Sequence, residues 1–208
     1  MRSSSLVVLA LALVAPTSLL VACGDDGGGG GNENEVITTV ALTFTPAGGG
    51  AAIVAEFDDP DGDGGAAPTV DPVDLTAGVT YAMTVGFENR LETPPEVITD
   101  EVRDESDVHQ IFLTGTAIDG PATSNPTAPL THTYADQDAN GLPIGLASTI
   151  VAAAGTGTMT VTLRHLPPVN DVAVKTATTA ADVKAGGFAA IGGSTDAQVD
   201  FAVTVVAP

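Results

Sequence analysis

The chain of 208 residues carries a formal net charge of −20, with 26 acidic side chains against 6 basic ones. Such a charge disfavours nucleic acids and anionic lipid headgroups as partners, and it favours cations, basic proteins or neutral ligands. The single cysteine excludes an internal disulfide, and the absence of tryptophan leaves a core built mainly from Val, Ile, Leu, Ala and Thr.

The N-terminal segment has the features of a secretion signal. Residues 6–14 form an unbroken apolar run that Pro16 ends, and this run is too short to cross a bilayer. The four residues 20–23, Leu-Val-Ala-Cys, resemble the cleavage and lipidation motif of bacterial lipoproteins. This resemblance implies a signal peptide over residues 1–22, a diacylglycerol on the sulfur of Cys23 and an acyl chain on its new amino group. The alternative is an ordinary signal peptide followed by a stray cysteine.

The residues after Cys23 predict a tether and a destination. In lipoproteins, an aspartate directly after the cysteine favours retention at the inner membrane, and Gly24 stands there instead. The resemblance therefore implies the outer membrane, with a periplasmic or cell-surface face. Residues 23–35 are rich in glycine and offer almost no apolar side chain to bury, which predicts a lipidated flexible tether ahead of a folded domain over residues 36–208.

Short β-branched runs separated by Gly, Pro and Asp predict strands throughout the folded domain. Residues 75–81 resemble a turn-and-strand phrase of immunoglobulin-like and fibronectin-like domains. We therefore predict an all-β fold, an antiparallel immunoglobulin-like β-sandwich that begins with a hairpin. The predicted strands cover residues 36–44, 52–57, 79–87, 109–114, 130–134, 147–153, 158–165 and 197–206.

One short helix is predicted between these strands. Thr93 and Glu96 have capping-box spacing, Pro94 suits the first helical position, and Ile98 and Val102 form a narrow apolar stripe. The acidic residues around them are typical of a solvated helix face. Residues 170–193 are small and weakly hydrophobic, and we predict a loop there.

Two acidic loops share one pattern. Residues 57–64 (FDDPDGDG) and 134–141 (YADQDANG) both read aromatic-x-Asp-x-Asp-x-(Asp or Asn)-Gly, which matches the first half of a calcium loop. The acid expected at position 12 is replaced by Val70 and Ala147, so neither loop is an EF-hand. The alternative is a pair of plain turns. The candidate calcium ligands are Asp59, Asp61, Asp63, Asp136, Asp138 and Asn140.

The histidines and the enzyme motifs give less information. His109, His132 and His165 lie on separate predicted strands without the close spacing of zinc ligands, so ordinary hydrogen bonding is the default interpretation. A transition-metal site requires the strands to bring them together. The sequence contains neither G-x-S-x-G nor H-E-x-x-H, and no GxGxxG opens a helix, so we predict a non-enzymatic protein.

The part of the chain after the leader resembles a set of small acidic bacterial lipoproteins through the phrases EVITTVALTFT, DPDGDGG, DQDANGLPIGL and TLRHLP. Our leading hypothesis is a lipid-anchored outer-membrane or cell-surface module, stabilised by calcium, that binds a glycan, a peptidoglycan component or a surface protein. One alternative is a lipid-anchored hydrolase that uses a carboxylate pair near the acidic loops. Another is the substrate-capture lipoprotein of a transport system.

Overall fold

A computed structural model describes residues 36–62 and 64–208. The predicted signal peptide, Cys23, the tether and Asp63 lie outside the described residues. The described residues fall within one compact unit. In the described part, no helix is long and apolar enough to cross a membrane.

Eleven strands are present in the described residues. They are β1 (Thr39–Pro46), β2 (Ile53–Asp58), β3 (Thr69–Val70), β4 (Val73–Thr76), β5 (Thr80–Glu88), β6 (His109–Thr114), β7 (Ile118–Asp119), β8 (Leu130–Tyr134), β9 (Ala147–Ala152), β10 (Gly155–His165) and β11 (Ser194–Val206).

The strands form two sheets. The first sheet has the order β3-β2-β1-β5-β9-β8-β7, and the second has the order β4-β11-β10-β6. Pairing is antiparallel except between β4 and β11 and between β7 and β8. The predicted hairpin is confirmed, because β1 pairs with β2 in a register that places Leu42 opposite Ala55.

The alternation in the sequence correctly identifies which side chains form the core. Val40, Leu42 and Phe44 of β1 are buried, as is every second residue from Tyr81 to Phe87 in β5. From the second sheet, Phe201 and Val203 join the same cluster. One hydrophobic core is therefore shared by the two sheets, and the predicted all-β class is confirmed.

The helix predictions need two corrections. Helix α1 covers Ile98–Asp104 and not the residues from Thr93 onward. Asn89 and Glu96 exchange backbone hydrogen bonds, which pair the chain on both sides of Thr93 as a β-bridge before the helix begins. Once formed, α1 buries Ile98 and Val102, as their spacing indicates.

The predicted loop over residues 170–193 is wrong, because it contains helix α2 (Thr179–Gly186) and a 3₁₀ helix (Phe188–Ala190). Val183 and Phe188 pack against Phe112 of β6 in a second, small apolar cluster. The apolar stripe of α2 is too narrow to distinguish this segment from a loop by sequence alone.

Helix α1 also completes the first sheet where a strand is missing. Strand β9 pairs with β5 only up to Thr84. Beyond that point, the amide of Phe87 donates to the Thr99 hydroxyl at 2.7 Å, and this hydroxyl donates to the Phe87 carbonyl at 3.1 Å. The side chain of Thr99 thus replaces a strand's backbone, and α1 is held beside β5 with its C-terminus close to the start of β6.

Candidate metal centre

His109 and His165 face each other at one end of the second sheet. His109 is the first residue of β6 and His165 the last of β10, and the antiparallel register makes them direct partners. Their rings stack with centroids 4.8 Å apart and planes 16° from parallel. Two histidines that are distant in sequence are therefore adjacent, which is the condition on which a transition-metal site depends.

Glu105 brings a third donor group to the histidine pair. It follows the last residue of α1, and its carbonyl oxygen lies 3.2 Å from Nδ1 of His109. Its carboxylate lies 3.9 Å from the same nitrogen. One donor atom from each of Glu105, His109 and His165 lies within 4.8 Å of the others. Imidazole nitrogen and carboxylate oxygen are ordinary zinc ligands.

Asp196 approaches the pair from the opposite side because of an irregularity in β11. Leu163 pairs with Ala197 and Arg164 pairs with Thr195, so the ladder skips Asp196. Such a β-bulge re-aims the side chain of the extra residue. Oδ2 of Asp196 lies 3.9 Å from Nε2 of His109, and the Asp196 side chain is only 4% exposed. Among the described residues, this oxygen has no hydrogen-bond partner.

Burial sets the protonation of the cluster. Desolvation lowers the pKa of His109, although the Glu105 carbonyl opposes this effect. Desolvation also raises the pKa of Asp196, and the nearby charges of His165 and Arg164 and a hydrogen bond from Ser194 only partly offset it. A buried neutral imidazole is the form that a metal ion binds.

The second acidic loop uses its carboxylates inside the protein. Both oxygens of Asp136 accept backbone amides, from Gly145 at 2.8 Å and from Ala147 at 2.9 Å. Asp138 is buried and accepts the amides of Asn140 and Leu142 on one oxygen. These contacts explain the Asp-x-Asp spacing as a loop that folds around its own carboxylates.

The other oxygen of Asp138 forms a buried ion pair. The Lys175 ammonium donates to it at 2.9 Å and to the Ser106 carbonyl at 2.6 Å. Burial alone would raise the pKa of Asp138, but the Leu142 amide and the Lys175 ammonium outweigh it, and the pKa lies below its usual value. A calcium ion at this loop would have to displace these donors.

The first acidic loop is described only in part. Asp61 accepts the amide of Ala66 at 3.0 Å, and Oδ1 of Asp59 is buried without a hydrogen-bond partner in the described residues. Asp63 lies outside the described residues. Calcium binding at Asp59, Asp61 and Asp63, and at Asp136, Asp138 and Asn140, therefore stays a prediction.

His132 does not join the metal centre. It lies on β8 in the first sheet, where Nε2 is 3.0 Å from the Ser148 hydroxyl. Its ring is buried, and desolvation lowers its pKa to about 4. For this histidine, the default interpretation of an ordinary hydrogen bond agrees with its contacts.

A cleft of about 570 Å³ lies beside α1, over the outward-facing residues of β1 and β5. Thr43, Thr84 and Thr99 line it together with Arg103 and Asp136. Arg103 pairs with Asp100, and Asp136 already binds two backbone amides. The charged side chains of the cleft are thus committed to neighbours, so we place the candidate site at the histidine pair.

The sequence analysis names His109 and His165 as candidate residues and does not single out Glu105 or Asp196. Glu105 is one of many acids in the α1 region, and Asp196 stands in an otherwise alternating strand. The spacing of four between Glu105 and His109 is the one local signal, since the end of a helix can bring such a pair together.

Comparison with known proteins gives no family for this chain. No family model matches it, and neither a curated protein nor a solved structure shows significant similarity to it.

Proposed function

We propose that this protein is a lipid-anchored extracytoplasmic module that binds a divalent transition-metal ion of the zinc class at Glu105, His109 and His165. The observation that carries the proposal is the convergence of these three residues from two paired strands and a helix end. Two imidazoles with a carboxylate suit Zn²⁺ better than Ca²⁺, which prefers six or more oxygen ligands.

The geometry is close to that of a zinc site without matching it. Bonds of about 2.0–2.2 Å to a tetrahedral ion place ligand atoms about 3.3–3.6 Å apart. The donors of Glu105, His109 and His165 lie within 4.8 Å of one another. Binding therefore requires them to approach by about 1 Å, which rotations of the partly exposed His165 and Glu105 side chains can supply.

The anchor belongs to the proposal through the sequence. The lipidation motif at residues 20–23 and the tether over residues 23–35 would hold the domain at the outer membrane, where metal ions reach it from outside the cytoplasm. A variant with Cys23→Ser should lose labelling by a radioactive fatty acid and leave the membrane fraction. Unchanged labelling would contradict the anchor and leave the metal proposal standing.

A binding role agrees with the contacts better than a hydrolytic one. The carboxylates that the hydrolase alternative requires near the second loop are held by backbone amides and Lys175. We also propose that the two sheets form an immunoglobulin-like sandwich. Their shared core supports this proposal, and the parallel pairing of β4 with β11 differs from the purely antiparallel arrangement that the sequence predicts.

Zinc titration of the full chain, purified in detergent without a histidine tag, tests the proposed function. At a free Zn²⁺ concentration about 100 times the dissociation constant, binding should stabilise the fold by about 2.7 kcal/mol. The melting temperature should then rise by roughly 5–10 °C. The double variant His109→Ala/His165→Ala should lose the shift, whereas His132→Ala should keep it. A shift that survives the double variant would refute the site.

A further inference from the structure

We infer that the cleft beside α1 binds a neutral saccharide, in a site separate from the metal centre. Its floor is the outward face of β1 and β5, and its lining shares no residue with the proposed metal ligands. The volume of about 570 Å³ lies within the range of about 300–1,000 Å³ that is usual for small-molecule sites. The class of ligand follows from the floor, the hydroxyl groups and the charged groups of the cleft.

The floor of the cleft contains a glycine that the fold does not require. Gly86 lies inside β5, where glycine weakens a strand because it adds chain entropy and packs no side chain. Its φ lies outside the left-handed region that favours glycine, and a Cβ at this position would meet Thr99 Oγ1 at 3.7 Å and the Ala41 carbonyl oxygen at 4.0 Å. These are ordinary contacts. A strand glycine without such a need often marks a place where a ligand comes close to the backbone.

The residue opposite Gly86 keeps the same part of the floor open. Ala41 is its direct partner in the antiparallel pair of β1 and β5, and both residues are only half-buried. Glycine and alanine therefore stand side by side on the outward face, and neither has a long side chain to cover the backbone. The face of a sugar ring that carries only C–H groups can lie flat on this floor and gain dispersion contacts.

The next pair of residues along the same face supplies two hydroxyl groups. Thr43 and Thr84 are direct partners on β1 and β5, and both line the cleft. A threonine hydroxyl rotates about its bond, donates one hydrogen bond and accepts others. It can therefore pair with a sugar hydroxyl in either orientation.

Two charged side chains of the lining are held in place by their neighbours. Both oxygens of Asp136 accept a backbone amide, and each keeps a second lone pair. Arg103 donates to Asp100 through one guanidinium nitrogen and keeps the other N–H groups of its fork. The carboxylate can thus accept from one ligand hydroxyl while the guanidinium donates to another. Because both groups are already ordered, less side-chain entropy is lost when a ligand binds.

These groups favour an uncharged ligand that carries several hydroxyls. Arg103 and Asp136 are the charged residues of the described lining, and their charges cancel, which leaves no net attraction for an ion. A wholly apolar ligand would remove both charges from water without replacing their hydrogen bonds. Each sugar hydroxyl both donates and accepts, so adjacent hydroxyls can bind the carboxylate, the guanidinium and the threonines together.

Sugar binding to the full chain, purified in a detergent without a sugar headgroup, tests this site. The probes are maltose, cellobiose, lactose and chitobiose, which differ in linkage, hydroxyl orientation and N-acetylation. Saturation-transfer NMR detects contact, and calorimetry in the presence of a chelator gives the Kd. The variants are Gly86→Val, which fills the floor, and Thr84→Val, which removes one hydroxyl at nearly constant shape. Ala82→Val and Thr80→Val are the matched controls, since both residues are exposed on the outward face of β5 outside the lining.

At least one probe should bind with a Kd in the millimolar range or below. Gly86→Val should weaken that binding by at least about tenfold and Thr84→Val by about threefold to tenfold. The two controls should stay within about twofold of the parent chain. Without sugar, Gly86→Ala should melt about 1–4 °C higher than the parent chain, because alanine fits the position and loses less entropy on folding.

No contact with any probe at concentrations well above the millimolar range would overturn the saccharide site. Binding that survives both Gly86→Val and Thr84→Val, or that falls equally in the controls, would also overturn it, because the sugar would then lie elsewhere. A lower melting temperature in Gly86→Ala would show that the fold itself requires the glycine and would remove the basis for the site. Zinc binding is a separate measurement, so the metal centre stands or falls independently of these results.

Discussion

Two buried polar clusters lie on either side of the turn that joins α1 to β6, and they differ in how completely they are paired. Lys175 binds Asp138 and the Ser106 carbonyl, and amides satisfy the other oxygen of Asp138. One residue away, Glu105 begins the second cluster, in which Oδ2 of Asp196 has no partner in the described part of the chain. The comparison teaches that burial of charge alone does not mark a ligand site. A closed cluster, in which the buried polar atoms have partners, stabilises the fold. An incomplete cluster, in which a buried acceptor has no partner, can accept an ion.

Breaking the closed cluster should have the largest effect. Lys175→Met leaves the carboxylate of Asp138 buried without its cation, which should lower the free energy of unfolding by about 3–5 kcal/mol. Urea denaturation followed by circular dichroism measures the loss. Lys184→Met is the matched control, because Lys184 is an exposed residue that donates to the Gly120 carbonyl, and it should cost less than about 1 kcal/mol. Equal losses in the two variants would show that the buried pair has no special weight.

The buried histidine outside the metal centre should produce the next largest effect, and it depends on pH. The folded pKa of His132 is about 4, whereas its ordinary value is 6.5. As pH falls below 6.5, His132 binds a proton in the unfolded chain but stays neutral in the folded chain. The contribution of neutral His132 to stability is therefore present above pH 6.5 and is lost toward pH 4. Between pH 7 and pH 4.5 the loss should be roughly 2–3 kcal/mol.

Comparing unfolding free energies of the parent chain and His132→Gln at both pH values isolates this contribution. The parent chain should lose roughly 2–3 kcal/mol more than the variant. The comparison does not require the variant to match the parent at neutral pH, because the difference between the two pH values is the quantity of interest. Equal losses in both proteins would show that His132 titrates normally.

The same substitution, aspartate to asparagine, should have opposite consequences in the two clusters. Asp196→Asn removes a buried charge whose Oδ2 has no partner, so without metal the free energy of unfolding should stay the same or rise by up to about 1 kcal/mol. Asp138→Asn weakens a satisfied network and should destabilise the fold. Thermal melts in the presence of a chelator measure both changes. A loss of more than about 2 kcal/mol in Asp196→Asn would show that the second cluster is as closed as the first.

The sequence predicts the strands well because alternation of apolar residues is a local signal. The predicted bounds of β6 and β8 coincide with the structure, and those of the other long strands differ by a few residues. Strand β10 begins at Gly155, three residues before the predicted start at residue 158, since a glycine-threonine repeat can pair as readily as it can turn. Helix α2 has no equivalent local signal.

The candidate site depends on information that no local pattern contains. The pairing of His109 with His165 follows from the register of β6 on β10, and the position of Asp196 follows from a bulge between β10 and β11. The acidic loops are candidate calcium sites because Asp-x-Asp-x-Asn-Gly resembles a calcium motif. In the second loop this spacing also allows two carboxylates to accept four backbone amides, and a sequence pattern alone cannot separate those two uses.

The most direct test of the central claim is anomalous diffraction at the zinc absorption edge, from crystals of the protein grown with Zn²⁺. The account predicts a peak within about 2.0–2.2 Å of a ring nitrogen of His109 and of one of His165, with the Glu105 carboxylate as the third ligand. A peak at the acidic loops, or none near His109, would contradict the distinction between an incomplete cluster that binds metal and a closed one that stabilises the fold.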